Sequence, residues 1–302
     1  MEAEKILSEM IQSNPDSALA YAGFGRLLYK KGYINNDNYK KEFLDQAHEC
    51  FAKALSLDPK LFDAYHYGAY SYIFSRDLKK AGEMAKKARE LEPDSAKVCL
   101  LSADIALRDK RDEEAVNWAK SALSKTKDKK ISVDAFYLLT RAYRRQKKTG
   151  PAEEAYLKII ELDPDSPWAM SNYSSFLSYH KADYDKAIEY GEKALELMDF
   201  GMGRHVLGKA YHGKASELLW KDNQVDESMK YFLLALKHYP ANAEALYGLG
   251  VCLFKKGHDN KDAARLLEAE KALVEAVRLD PEHKEAREKL MEAELVLRAM
   301  KK

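Results

Sequence analysis

Ala54, Ala88 and Ala122 fall 34 residues apart, as do Ala81 and Ala115, and as do Pro59 and Pro93. A 34-residue period in small residues and prolines marks a stack of helical hairpins. Helices approach closely only where side chains are small, and a proline, which cannot continue a helix, closes each hairpin. Pro59 and Pro93 end the phrases Leu57-Asp58-Pro59 and Leu91-Glu92-Pro93, which return as Leu162-Asp163-Pro164 and Leu279-Asp280-Pro281. Each hairpin leaves an apolar face that only its neighbours can cover, so the chain is expected to form a single repeat domain over residues 1–302 with one continuous core.

Composition agrees with helices throughout. Charged residues make up 33% of the chain, as expected when every helix has one wet face, and there are only 14 glycines and 8 prolines. A formal net charge of +1 gives a global field too weak to concentrate polyanions, which argues against nucleic acid as a principal ligand. Cys50, Cys99 and Cys252 are dispersed and odd in number, without the spacing of a disulfide framework or a zinc site. The start Met1-Glu2-Ala3-Glu4-Lys5-Ile6 has no basic and apolar leader pattern, and no window approaches 18 consecutive apolar residues. A cytoplasmic protein with no membrane insertion is the expectation.

Aligned on prolines and alanines, the units carry small residues in the middle of a first helix, then alanine, aromatic and alanine at i, i+4 and i+7 on a second. The cleanest copy runs from Phe62 to Ser95, with Tyr65, Gly68, Ala69 and Tyr72, then Ala81, Ala85 and Ala88, and Pro93 as terminator. Other copies carry Phe136, Leu139 and Tyr143 before Ala152, Tyr156 and Pro164, or Leu207-Gly208 and Tyr211 before Phe232, Ala235 and Pro240. This pattern resembles the tetratricopeptide repeat over nearly the whole chain. The resemblance implies an all-α, right-handed superhelix, an α-solenoid of about seven helix-turn-helix repeats. These start near Ala18, Phe62, Ala96, Val133, Pro167, Gly201 and Ala243, with a capping helix over 282–302.

The period breaks in informative places. Pro15 to Pro59 is longer than one repeat by 10 residues, Pro240 to Pro281 by 7, and the stretch between Tyr211 and Ser228 by about 7. Seven residues is close to two helical turns, so a helix can lengthen by that amount without rotating its apolar face. Ala210 to Trp220 is therefore expected to extend a first helix. A turn at Gly257 to Asn260 should precede a long second helix with Ala264, Leu267, Ala269, Leu273 and Val277. These lengthened helices of the sixth and seventh units offer a face for self-association. Tyr33 to Asn38 is expected as a loop, and Lys125 to Ile131 as a three-residue insertion. Met1 to Ser13 should form a helix with Ile6, Leu7 and Met10 inward, and the last helix should turn Leu290 and Leu297 inward.

Catalytic signatures are missing: there is no phosphate-binding Gly-x-x-x-x-Gly-Lys loop, no Gly-x-Ser-x-Gly and no His-Glu-x-x-His. Gly248 and Gly250 lie in a helical segment without the third glycine of a dinucleotide fingerprint. His205 and His212 share a helical face, but seven residues is about 10.5 Å of rise, too far for one metal. No catalytic residue, cofactor or metal is expected. In arrays of the resembled family the first helices line a concave face. The positions carried over are Arg26 and Tyr29; His66, Tyr67 and Tyr70; Lys97, Leu100 and Asp104; Tyr137, Arg141 and Arg144; Trp168, Ser171, Asn172 and Ser175; His205, Lys209 and His212; Tyr247 and Val251. Aromatics beside arginine and lysine are the chemistry of peptide hot spots. The lysine, asparagine and arginine clamp of the family's chaperone-tail binders is not reproduced: Asn172 matches one element, but Tyr137 and Arg141 stand where lysine and asparagine are needed.

The resulting expectation is a non-enzymatic scaffold or adaptor holding a peptide or helix of another protein. The alternative is the regulatory or targeting region of a larger enzyme or complex. RNA binding rests only on Arg144 to Lys148 and Lys127 to Lys130, which resemble wet loops. The alanine seam makes a stability prediction: Ala88→Leu should overpack a helix crossing and cost about 1–3 kcal/mol in chemical denaturation, while Glu113→Gln should leave the midpoint unchanged.

Overall fold

The computed structural model describes residues 2–35 and 38–300. Met1, Asn36, Asp37, Lys301 and Lys302, which fall in the expected first helix, loop and cap, lie outside the described residues. The chain divides into two compact units, Met1–Leu162 and Asp163–Lys302, each described by itself.

The first unit contains α1 (Glu2–Ser13), α2 (Ala18–Lys31), the short strands β1 (Tyr33–Asn35) and β2 (Asn38–Tyr39), and α3 (Lys41–Leu57). It continues with α4 (Phe62–Phe74), α5 (Leu78–Leu91), α6 (Ala96–Arg108), α7 (Asp112–Ser124), α8 (Lys129–Arg145) and α9 (Thr149–Leu162). The second unit contains α10 (Pro167–Phe176) running into a π-helical turn (Leu177–Lys181), then α11 (Tyr184–Leu197), α12 (Gly201–Trp220) and α13 (Val225–His238). It ends with α14 (Ala243–Asp259), α15 (Ala263–Leu279) and α16 (Lys284–Met300). The fold is all-α and solenoid-like, with one small hairpin. Six of the seven expected repeat starts coincide with the first residue of α2, α4, α6, α10, α12 and α14.

Two local devices recur in the hairpins. After the second helix, the residue before the proline leaves the helical region: Asp58 at φ −135°, Glu92 at −130° and Asp280 at −132°. A following proline excludes the α region for that residue, so the helix stops there. Between first and second helices the reversal uses a left-handed residue at Arg76, Lys110, Lys147, Ala182, Asn223 and Lys261, none of them glycine. The next amide then donates back across the turn, as Asp77 N to Tyr72 O at 2.9 Å, Arg111 N to Ala106 O at 2.8 Å and Asp262 N to Gly257 O at 2.8 Å. Asp77, Asp183 and Asp262 then cap the second helix, their carboxylates accepting from Lys80 N, Lys186 N and Arg265 N.

Close approach holds the pairs together. The eighth residue of each of these first helices is small and buried: Gly25, Ala69, Ala103, Ser174, Gly208 and Gly250. A Cβ on Gly25 would lie 3.0 Å from the Phe51 ring on α3, one on Gly208 would lie 3.1 Å from Ala235 O on α13, and one on Gly250 would lie 2.7 Å from Leu273 on α15. Opposite them Ala54, Ala81, Ala88, Ala122, Ala235 and Ala269 are wholly buried.

Several expectations are corrected by this packing. In α1, Leu7 and Ile11 are half-buried, and Leu7 lies against Gly23, whereas Ile6 and Met10 are 49% and 43% exposed. In α15, Leu266 is the buried residue and Leu267 faces out, because Leu266, Ala269, Leu273 and Ala276 follow the helical spacing. Gly257 does not begin a turn: α14 runs on to Asp259, and the glycine is needed where Leu266 N would sit 3.0 Å from a Cβ. The extra length of the seventh repeat is thus shared between α14 and α15, each 17 residues. The first helix of the fourth repeat begins at Lys129, four residues ahead of the expected repeat start near Val133, because Asp128 caps it by accepting from Ile131 N at 2.9 Å. Part of the expected loop at Tyr33 to Asn38 is a hairpin pairing Tyr33 with Tyr39 and Asn35 with Asn38. The π-helical turn was not anticipated. No helix among the described residues is long and apolar enough to cross a membrane.

Ala182, at φ 52°, carries the cost of a Cβ in the left-handed region with little side chain to lose. Ala182→Gly is expected to stabilise by roughly 0.5–1 kcal/mol in urea unfolding, the relief of strain outweighing the greater chain entropy of glycine.

Candidate binding surfaces

In the first unit α2, α4, α6 and α8 pack side by side and bring aromatic and basic side chains together. Arg26 is exposed and its guanidinium lies 4.3 Å over the Tyr67 ring. His66 is buried, stacked on Phe62 at 5.5 Å and edge-on to Tyr67 and Tyr70 at 5.0 and 5.2 Å. Tyr29 stacks on Tyr39 at 5.3 Å and accepts its hydroxyl at 3.3 Å. Burial, and then the bond to Tyr39, pushes the Tyr29 phenol far above its ordinary pKa. The Tyr70 phenol is also raised, by burial first and then by the carboxylates of Asp104 and Asp134.

Asp104 on α6 is the charge at the centre of this face. It is buried, and one oxygen, Oδ1, accepts from Arg108 Nε at 3.2 Å and from Arg141 Nη1 at 3.4 Å. The Arg108 guanidinium also lies 4.8 Å over the Phe74 ring. A buried carboxylate is tolerable only when paired in this way. The two arginines differ in freedom: the side chain of Arg108 is 17% exposed and that of Arg141 46%. Arg144 donates to the Tyr156 hydroxyl at 3.3 Å, Tyr137 is half-buried on α8, and Lys97 is exposed. Leu100 is core.

In the second unit the first helices are α10, α12 and α14. Trp168 is exposed and packs on Phe200 at 4.4 Å; Asn172 is exposed and Ser175 half-buried; Ser171 and Val251 are buried. His205 packs on Tyr239 at 4.3 Å, and Lys209 Nζ lies 5.7 Å from the centre of the Tyr179 ring. His212 lies against Phe232 at 5.9 Å with Nε2 3.3 Å from Ser216 Oγ, and Tyr247 lies between Trp220 at 6.2 Å and His283 at 4.8 Å. Burial, with Lys209 nearby, lowers the pKa of His205; His212 is lowered chiefly by burial. Two hollows of about 320 and 390 Å³ share His212, Ser216 and Glu244. Lys209, His212 and Tyr247 therefore line adjoining hollows, whereas Trp168, Asn172 and Ser175 do not. The π-helical turn adds Ser178 and Tyr179 to one wall.

Carrying over first-helix positions missed two further hollows in the first unit, of about 560 and 580 Å³, against the second helices α5 and α9. Tyr65, Tyr72, Glu83 and Lys87 of one correspond to Phe136, Tyr143, Glu154 and Lys158 of the other, 71 residues on. That recurrence was the available signal. In the intervening repeat Trp118 occupies the position of Met84, with Arg89 5.3 Å from its ring.

Ionisation of His66 opposes folding. Burial first, then Lys97 and Arg26, pushes its pKa from the ordinary 6.5 to about 4. Its neutral form is favoured in the folded state, so its contribution is fully present above pH 6.5 and is lost as pH falls toward 4. Melting temperature should fall across that window, and His66→Phe should flatten the fall.

Three family models, each described as a tetratricopeptide repeat, match residues 134–166, 155–189 and 214–267. The chain is 27% identical over 285 residues to the human protein O-mannosyl-transferase TMTC3, a match covering 93% of this chain and 28% of that protein. The chain therefore spans little more than a quarter of that relative's length. Among solved structures it resembles the C-terminal part of a tetratricopeptide repeat-containing protein from Cytophaga hutchinsonii, with TM-score 0.64, 15% identity, and 89% and 99% of the two chains covered. It also resembles Pseudomonas aeruginosa pilF, with TM-score 0.57, 22% identity, and 76% and 94% covered. Yeast Tom70 gives TM-score 0.50 at 19% identity, covering 99% of this chain and 59% of that one. At these identities the structures share the fold alone. Together with the repeat spacing and the paired helices, the family-model matches show tetratricopeptide repeats within residues 134–189 and 214–267 of this chain.

Proposed function

We propose that the chain is a non-enzymatic scaffold whose first-helix face, in the first unit, holds a peptide segment or helix of another protein. The repeat fold supports a protein-interaction role in general. The observation that carries the finer reading is Asp104 with its two unequal arginines. Arg108 stays tied to the buried carboxylate, while Arg141, more exposed and held at 3.4 Å, can turn to an acidic side chain of a partner. Arg26 on Tyr67, with Tyr70, Tyr137 and Lys97, supplies stacking surface and further positive charge around it. The fitting partner is a segment bearing acidic and aromatic residues. In the second unit, His205, Lys209, His212 and Tyr247 belong to the same proposal with a more neutral lining. A cytoplasmic setting is proposed with it, on the three free thiols.

A second reading, the interaction region of a larger enzyme or complex, is favoured by the match to a transferase of which this chain covers 28%. Its discriminating observation is a catalytic domain encoded with these repeats in one chain.

Affinity capture with the intact chain, followed by mapping of the surface the partner protects, tests the scaffold reading. Tyr137→Ala and Arg141→Ala are each expected to weaken binding by about 1–2 kcal/mol without changing the circular dichroism spectrum, because truncating an anchor opens a dry contact to water. Lys158→Ala, against the second helices, should have much less effect. Release only by changes at Tyr33 to Asn38, or near Trp220 and Leu267, would overturn the first-helix reading.

A further inference from the structure

The residues added to α12 supply one wall of a hollow in the second unit. The first helices α4 and α6 end after 13 residues, whereas α12 runs for 20 and ends at Trp220. Trp220 is 53% exposed, and its ring lies 6.2 Å from that of Tyr247 on α14 at an interplanar angle of 21°. Phe232 of α13 reaches the same hollow, of about 390 Å³, because α14 has a glycine there: a Cβ on Gly248 would collide with the ring.

A carboxylate completes the lining. Glu244 stands in the first turn of α14 and faces both this hollow and the adjoining one. The helix does not need it as a cap, since Asn242 accepts from Ala245 N at 3.1 Å. One Glu244 oxygen lies 3.4 Å from His283 Nε2, and His283 accepts from Ala286 N through Nδ1, as a neutral imidazole does. That ring therefore orients Glu244 without neutralising it, and the Glu244 side chain is 61% exposed. The Tyr247 phenol registers the local sign of charge: burial first, then Glu285, Glu244 and Glu288, raise its pKa. The faces of aromatic rings are negative and attract a cation. The nearly parallel planes of Trp220 and Tyr247 suit a guanidinium, which stacks flat on a ring and donates through two parallel bonds to a carboxylate; an ammonium has neither plane nor fork. Lys209 lines the adjoining hollow and repels a second cation, so the fitting group is one arginine rather than a polycation.

We propose that this hollow receives an arginine side chain of a partner peptide, stacked on Trp220 and Tyr247 and paired with Glu244. The proposal rests on the reading of the chain as a peptide-binding scaffold and deepens its second-unit part. It is independent of Asp104 and Arg141, and it assigns the second unit a basic residue of the partner where the first unit's arginines fit an acidic one.

Nuclear magnetic resonance of the full chain, isotope-labelled in its three tryptophan indoles, tests this directly. The probe is acetyl-Ala-Arg-Ala-amide, titrated to about 50 mM at constant ionic strength, with the Trp220 signal assigned by its loss in Trp220→Phe. That signal should shift saturably with a dissociation constant of roughly 1–10 mM, the weak affinity of one side chain, while those of Trp118 and Trp168 stay in place. Acetyl-Ala-citrulline-Ala-amide, of the same shape without the charge, should bind at least about tenfold more weakly, and the lysine tripeptide about threefold more weakly. Glu244→Gln should weaken binding of the arginine tripeptide about fivefold, whereas Glu268→Gln on α15 should leave it unchanged. Absence of a saturable shift at Trp220, or equal binding of the citrulline and arginine tripeptides, overturns the proposal. So does indifference to Glu244→Gln, or tighter binding of spermidine than of the arginine tripeptide, the mark of a merely acidic patch. Because the tripeptide is read at Trp220, this result and the effect of Arg141→Ala on partner capture can each fail without the other.

Discussion

The architecture depends on how closely a first helix can approach its own second helix. Gly208 shows the constraint, with Ala235 O and the Tyr239 backbone nitrogen 3.1 and 3.2 Å from where a Cβ would stand. Ala81 and Ala88 on α5 and Ala269 on α15 show it from the other side, being wholly buried on second helices. Alanine is also the best helix former, so the residue that permits the approach favours the element that makes it. Larger side chains then fill the remaining space, as the wholly buried Phe51, Phe232 and Leu273 do. A hairpin built this way cannot bury its outer face alone, and its stability comes from its neighbours.

The turns add a second constraint, which fixes where each approach begins. A left-handed residue after the first helix and a pre-proline extended residue after the second limit helix length from both ends. Insertions are accepted only where they respect those limits. In α12 the addition simply lengthens a 20-residue helix. In the last repeat it is divided between α14 and α15, which keeps the turn at Asn260 to Asp262 and brings Gly257 against Leu266. In the first repeat the addition is not a whole number of helical turns, and part of it leaves the helix as a hairpin whose Tyr39 stacks on Tyr29 and Phe74.

What the sequence disclosed follows from what is periodic in it. The repeat starts were legible because prolines and small residues recur under hard steric constraint. The facing of single helices without a repeat context was less so. Leu7 and Ile11 could not be chosen over Ile6 and Met10 from hydrophobicity alone, and Leu266 and Leu267 are adjacent residues of one type. The π-helical turn has no periodic signature. The candidate first-helix positions could be listed from the sequence, but their pairings could not. Asp104 was visible as a polar residue on a first helix, yet its bonds to Arg108 and Arg141 join residues 4 and 37 positions away, and only the second spans a repeat.

Those pairings explain why the first-helix side of the first unit is polar as well as aromatic. A face intended only for packing would be more stable if Asp104 and its arginines were apolar, because desolvating such a group costs as much as its pairing returns. Asp104 and His66 are both positioned by helices rather than by loops. Phe74 makes the point locally. Its ring contacts Tyr29, Tyr39 and the Arg108 guanidinium together, fixing the arginine that holds Asp104 while leaving Arg141 the more exposed of the pair. A more buried arginine beside a more exposed one fits the recognition proposed above, since engaging Arg141 elsewhere would leave Arg108 to compensate the buried carboxylate.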